Sequence, residues 1–225
     1  GTRLCVRSGD MVQVLSGLHA DYGIKTISAH EETGLLWTYD RDRAVSAWCL
    51  RAGVSFRELP QNGVIRGLKD RNGWAARWHK VMAQPRISAP ERIDPHGIGA
   101  GSYPEPRDLG LKDDVCPQRQ AGGRRQAIDL MKSFHQLRGR TYRRAMSSPL
   151  SAFEACSRLS AHIAFGTVSM REVWQAATAA KERHDARSDR TFAASMTSYI
   201  GRLHWHCHFI QKLENQPRME HFNLH

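Results

Sequence analysis

The stretch MVQVLSGLHADYGIKTISA, residues 11–29, decides the fold class. Its first part has a helical period: Val12, Leu15, Leu18 and Tyr22 recur at steps of three and four, and Gly23 supplies the stop. Its second part, IKTISA (24–29), is short and rich in β-branched residues, as a strand requires. The same order then returns. RDRAVSAWCLRAG (41–53) predicts a helix with Ala44, Val45, Trp48 and Cys49 inward and Gly53 at its end, and VSFREL (54–59) predicts a second strand. A helix–strand–helix–strand rhythm predicts a Rossmann-like parallel sheet with crossover helices. Ligands of such sheets sit at the carboxyl ends of strands. HEETG (30–34) therefore lies where a ligand would be lined, although an ordinary polar loop is the simpler reading.

Downstream the pattern changes. Residues 85–123 include QPRISAPERIDPHGIGAGSYPEPRDLG, rich in Pro and Gly and without a period, which predicts a linker or a long covering loop. From Arg124 onward the strand signals disappear. Helices are predicted at RRQAIDLMKSFHQLRG (124–139), SRLSAHIAFG (157–166), SMREVWQAATAAKERH (169–184) and RTFAASMTSYIGRLHWHCHFIQKLEN (190–215). The third opens with a capping box, Ser169 and Glu172, and the last is closed by Pro217. The expected organisation is an incomplete α/β segment over 1–84, a joint over 85–123 and an all-α segment over 124–225.

Composition bounds the function. Apolar residues make up 40 % of the 225, enough for a core. The net charge of +11 favours anionic partners, nucleic acid or acidic surfaces, and the excess of arginine over lysine suits bidentate phosphate contacts. The five cysteines are scattered without a CxxC, against a disulfide framework or a zinc ribbon and in favour of a reducing compartment. No apolar run approaches the roughly 18 residues that span a bilayer. With no leader near Gly1, the expectation is a cytoplasmic monomer without a membrane partner.

Two stretches carry candidate chemistry. CSRLS (156–160) begins a predicted helix; its hydroxyls, its guanidinium and free N–H groups would seat a phosphate. Thr141-Tyr142-Arg143-Arg144, upstream, adds an aromatic face and two cations. GRLHWHCHF (201–209) places His204 and His208 four apart on one helical face, a metal-type spacing. No glutamate lies between them as in HExxH, and His221 and His225 reach them only if the chain folds back. A helix turning polar and aromatic positions toward a pocket explains the stretch without a metal.

These residues resemble the photolyase/cryptochrome family. SRLSAHIAFGTVSMREVWQA (157–176) resembles the family run SRLSPYLAFGTLSPRxVxxA, and SYIGRLHWHCHFIQKL (198–213) the later helix with WxxELxWREFY. YGIKTISAHEETGLLWTYDRDRAVSAWC (22–49) resembles the antenna domain around its middle strands. The resemblance implies an FAD-binding helical segment and, in the repair branch, blue-light-driven repair of pyrimidine dimers flipped out of DNA. It implies that Tyr142 contacts FAD and that Arg143 meets DNA. It places Cys156, Ser157, Arg158, Leu159 and Ser160 on the FAD phosphates, Tyr199 near the flavin, and Trp205 under the flipped dimer.

There are departures. Cys156 stands where the family has threonine, and His206 where it has arginine. Arg202 stands at the glutamate that hydrogen-bonds the dimer; a guanidinium only donates, whereas a carboxyl group can accept. The Asn-Glu pair of a folate antenna is unmatched, with Trp37 and Thr38 near its place, so a second chromophore has no support. The WFRxDLRxxDN start is missing and the chain stops at FNLH, midway through the helical domain, so the expectation is a partial chain or a reduced relative. A cryptochrome-like photoreceptor that binds FAD without repair is the alternative, and a remnant holding neither flavin nor DNA is a third.

Overall fold

The computed structural model describes residues 4–93, 97–112 and 115–223. The chain divides into two compact units, Gly1–Leu59 with Ile87–Arg119, and Pro60–Arg86 with Gln120–His225.

In the first unit, α1 (Met11–Tyr22) starts at Asp10, whose side chain accepts the Gln13 N–H at 3.0 Å. It stops at Gly23, where φ is 65°, a left-handed value that glycine adopts without steric cost. Strands β1 (Thr26–His30) and β2 (Ser55–Leu59) pair in parallel, Thr26 opposite Ser55 through His30 opposite Leu59, and α2 (Leu36–Ala52) is the crossover between them. The α/β expectation holds. Helix α2 begins five residues before the predicted start because its first turn is largely solvated, Trp37 being 71 % exposed, and so carries no apolar period. Val45, Trp48, Cys49 and Val54 form the core, with Val12, Leu15, Ile24, Ile27 and Phe56 packed on it. The HEETG loop serves the structure at Glu32, which pairs with Arg41 at 3.2 Å.

The Pro/Gly-rich stretch holds one 3-10 turn, Pro106–Leu109, among its described residues; residues 94–96 and 113–114 lie outside them. It is tied to the chain start where Val6 N–H donates to Ala100 O at 2.7 Å. Residues 87–119 therefore group with the α/β unit.

The second unit is helical: α3 (Trp74–Ala83), α4 (Arg124–Gln136), α5 (Tyr142–Ala145), α6 (Ala152–Ala155), α7 (Ser160–Ala164), α8 (Met170–Ala186) and α9 (Arg190–Asn215). The predicted boundaries did not anticipate α3. Trp74, Trp78 and Met82 recur every fourth residue and are all buried in the core of this unit, with Val173, Leu203 and Cys207. Burying those three side chains draws residues 60–86 into the helical unit rather than the α/β one. The Ser169–Glu172 capping box forms in both directions, at 3.1 and 3.2 Å, and Glu172 also takes Arg124 at 2.6 Å. That guanidinium holds the Glu172 carboxyl below its usual range. Helix α9 is capped by Asp189 and ends two residues before Pro217. Among the described residues no helix is long and apolar enough to cross a membrane.

Candidate functional site

Phe134 on α4 is the floor of the site. Its ring lies 4.7 Å from Tyr199 on α9 and 5.5 Å from Tyr142 on α5, and the two tyrosines meet edge to face at 5.5 Å. Each pair adds about 0.5–1.5 kcal/mol beyond its buried area. Close approach needs Gly139, because a Cβ there would meet Phe134 O at 2.5 Å and Met196 Cε at 2.8 Å. Helix α9 grips the same segment through Ser195, whose hydroxyl donates to Arg140 O at 2.8 Å and accepts the Arg143 N–H at 3.3 Å.

The 156–160 turn lies against this floor. Helix α7 starts only at Ser160, later than predicted, because Arg158 has a left-handed backbone, φ 60°. For a non-glycine residue that costs on the order of 1–3 kcal/mol. The conformation is held by Gln120, whose amide donates to Arg158 O at 2.8 Å, and by the Arg158 guanidinium stacked 3.8 Å from the Phe153 ring centre. Ser157 accepts the Leu159 N–H at 3.4 Å, so it closes a local turn rather than capping α7. Leu159 is buried; Ser160 is exposed. Cys156 is half-buried and burial raises its thiol pKa. Arg138, which sequence reading passed over, fixes this turn to α4: it donates to Cys156 O at 2.6 Å, Glu154 O at 3.0 Å and Ser133 Oγ at 2.9 Å. Nothing in its local pattern separates it from a solvated helix-end arginine.

Electrostatics shows what these groups share. Burial pushes the Tyr142 hydroxyl up to about 12, Cys156 adds to the rise and Arg202 opposes it. Burial also raises Tyr199, with Tyr142 and Cys156 adding to the rise and Ser157 opposing it. The Tyr199 hydroxyl is buried beside the 156–160 turn, with the Ser157 side chain as its polar neighbour. Arg202 continues outward, its guanidinium 4.7 Å from the Trp205 ring centre, and Trp205 meets Phe209 edge to face at 6.2 Å. Trp205 is 50 % exposed, so part of its ring faces solvent beside Arg202 and Phe209. His206 is exposed beside it.

The opposite side of α9 explains the histidines. His204 stacks on His79 at 5.8 Å and meets Trp74 and Trp78 at 5.1 and 5.0 Å; His208 lies 6.0 Å from Trp74. Burial, His79 and His208 lower the His204 pKa. Cys207 is buried beneath them, its thiol pushed up to about 11 by burial. His221 is exposed and His225 lies outside the described residues. No group of three or more His, Cys, Asp or Glu side chains among the described residues converges to hold a metal ion.

The chain thus holds a two-stranded parallel α/β unit and a helical unit that carries a tyrosine-floored turn and an exposed tryptophan. No family model matches the sequence. The chain is 28 % identical over 229 residues to the deoxyribodipyrimidine photo-lyase of Halobacterium salinarum, covering 95 % of this chain and 46 % of that protein. Its fold matches the crystal structure of a bacterial class III photolyase from Agrobacterium tumefaciens with a TM-score of 0.70 at 18 % identity, covering 99 % of this chain and 48 % of that one. The chain thus spans about half the length of the relatives it matches. Over nearly its whole length the chain is thus similar in sequence and in fold to members of the photolyase/cryptochrome family.

Proposed function

We propose that this chain supplies part of the flavin and nucleic-acid site of a light-driven, FAD-dependent DNA photolyase. One observation carries the reading: the 156–160 turn, Tyr142 and Tyr199 lie together, and Arg202, which acts on Tyr142, stacks on the exposed Trp205. The residues suit the cofactor. Ser157, Ser160 and the Tyr199 hydroxyl offer donors for its phosphates, and Tyr142 and Tyr199 form an aromatic wall. Bound there, FAD would supply the light-driven electron, and the protein's part is position and field. The strained Arg158 backbone holds the turn open, and Trp205 offers a face on which a flipped base stacks, worth about 1–3 kcal/mol. The net charge of +11 supports DNA as the partner, and the five free cysteines support a cytoplasmic setting.

A second reading, a cryptochrome-like photoreceptor that binds FAD without repair, is favoured by Arg202, which holds a cation over Trp205 where an acceptor for the base edge would serve repair. The test is reconstitution of the chain with FAD, followed by blue illumination with ultraviolet-irradiated oligonucleotide. Flavin absorption with loss of dimers supports repair. Flavin absorption with dimers intact selects the photoreceptor. A colourless chain that takes up no flavin defeats both.

A further inference from the structure

The start of α9 and residues 140–144 enclose an open groove of about 510 Å³, lined by Arg140, Arg143, Arg144, Arg190, Thr141 and Thr191. Four guanidiniums face a single carboxylate: Asp189, the α9 cap, pairs with Arg140 and lies 3.9 Å from His184. Arg143, Arg144 and Arg190 have no carboxylate partner among the described residues, and all three are exposed. Like charges gathered without counter-charge destabilise a fold, so the cluster is costly unless an anion occupies it. The backbone beneath is firm, because Ser195 ties both Arg140 and Arg143 to α9. The guanidiniums are therefore mounted on a fixed surface, suited to bidentate phosphate recognition.

We propose that this groove tracks the phosphodiester backbone of a nucleic-acid strand, with Arg144 and Arg190 as phosphate contacts that extend the strand path beyond Arg143. The inference rests on the reading that the protein binds DNA. A strand suits the site better than a small enclosed anion, because the groove is open and its arginines are solvent-facing. Such contacts position the duplex without reading its sequence.

The experiment is the salt dependence of duplex binding by the whole chain, with Arg144→Gln/Arg190→Gln against wild type. Each phosphate contact removed lowers the slope of log K against log salt by about 1, so the double variant loses about 2, equally on undamaged and irradiated duplex. Arg144→Lys/Arg190→Lys, which keeps the charge, retains the slope. Arg71→Gln/Arg125→Gln removes equal charge from exposed positions of the helical unit that do not line the groove and also retains it. An unchanged slope in the first variant, or an equal loss in the control pair, overturns the groove and leaves DNA binding standing. Displacement of duplex by inorganic pyrophosphate far beyond its effect on ionic strength marks a small-anion seat and overturns the strand assignment. A wild type that binds no duplex defeats the underlying reading as well.

Discussion

Gln211 closes two hydrogen bonds on the backbone of Ile65, 146 positions earlier in the chain: its Oε1 accepts the Ile65 N–H at 2.8 Å and its Nε2 donates to the Ile65 carbonyl at 3.0 Å. The side chain is fully buried, and its amide acts as a one-residue strand partner. Glu214 takes the Gly67 N–H at 3.0 Å, and Asn215 donates to Leu68 O, so one face of α9 holds residues 65–68.

Gln211→Leu keeps the volume and strips the partners from two backbone groups. Each orphaned group costs about 1–3 kcal/mol. Urea unfolding should show a loss of about 2–4 kcal/mol in the helical unit. A loss under 0.5 kcal/mol would mean that water replaces the amide.

His135 gives the acid limb of stability a specific source. It is buried, with Nε2 unpartnered, and burial, with Arg183 and His184, lowers its pKa from 6.5 to about 4. Between those values the unfolded chain binds a proton that the folded chain does not, so stability falls as pH falls through that window. The effect is on the order of 3 kcal/mol. His135→Phe should flatten this limb, measured as the thermal midpoint from pH 7 to pH 4. Parallel wild-type and variant curves would show that another group governs the acid loss.

Ser157→Ala together with Arg158→Ala removes a hydroxyl and a guanidinium from the proposed phosphate turn. Hydrogen bonds to charged groups are worth about 1.5–3 kcal/mol, so FAD affinity should fall about tenfold or more. Flavin absorption per protein reads the occupancy, and circular dichroism confirms the fold. Full retention of flavin would place the phosphate seat elsewhere.

Arg202→Glu lifts a guanidinium from Trp205 and puts an acceptor beside it. The preference for irradiated over intact oligonucleotide should rise about tenfold, while overall DNA affinity falls with the lost positive charge. The ratio is the readout, since it cancels the charge effect. An unchanged or smaller ratio would count against placing a lesion at Trp205.

What the sequence determined by itself was local. The period of Val12, Leu15 and Leu18, the glycine stops at 23 and 53, the Ser169–Glu172 box and Pro217 after α9 each act within a few residues, and each is where the pattern placed it. The resemblance in SRLS and the α9 helix was legible for the same reason, since both are contiguous runs. Tertiary structure decided the rest. The every-fourth period of Trp74, Trp78 and Met82 was present in the sequence, but only packing against the helical unit shows to which unit 60–86 belongs. Arg138 looks like a solvated helix end until the carbonyls of 154 and 156 arrive beside it, and Gln211 looks like a surface amide until Ile65 does. The arginine groove joins 140–144 to 190–195. Short-range hydrogen bonding and period are written in neighbouring residues, whereas a polar side chain's partner beyond its own helix or turn exists only once the backbone has folded.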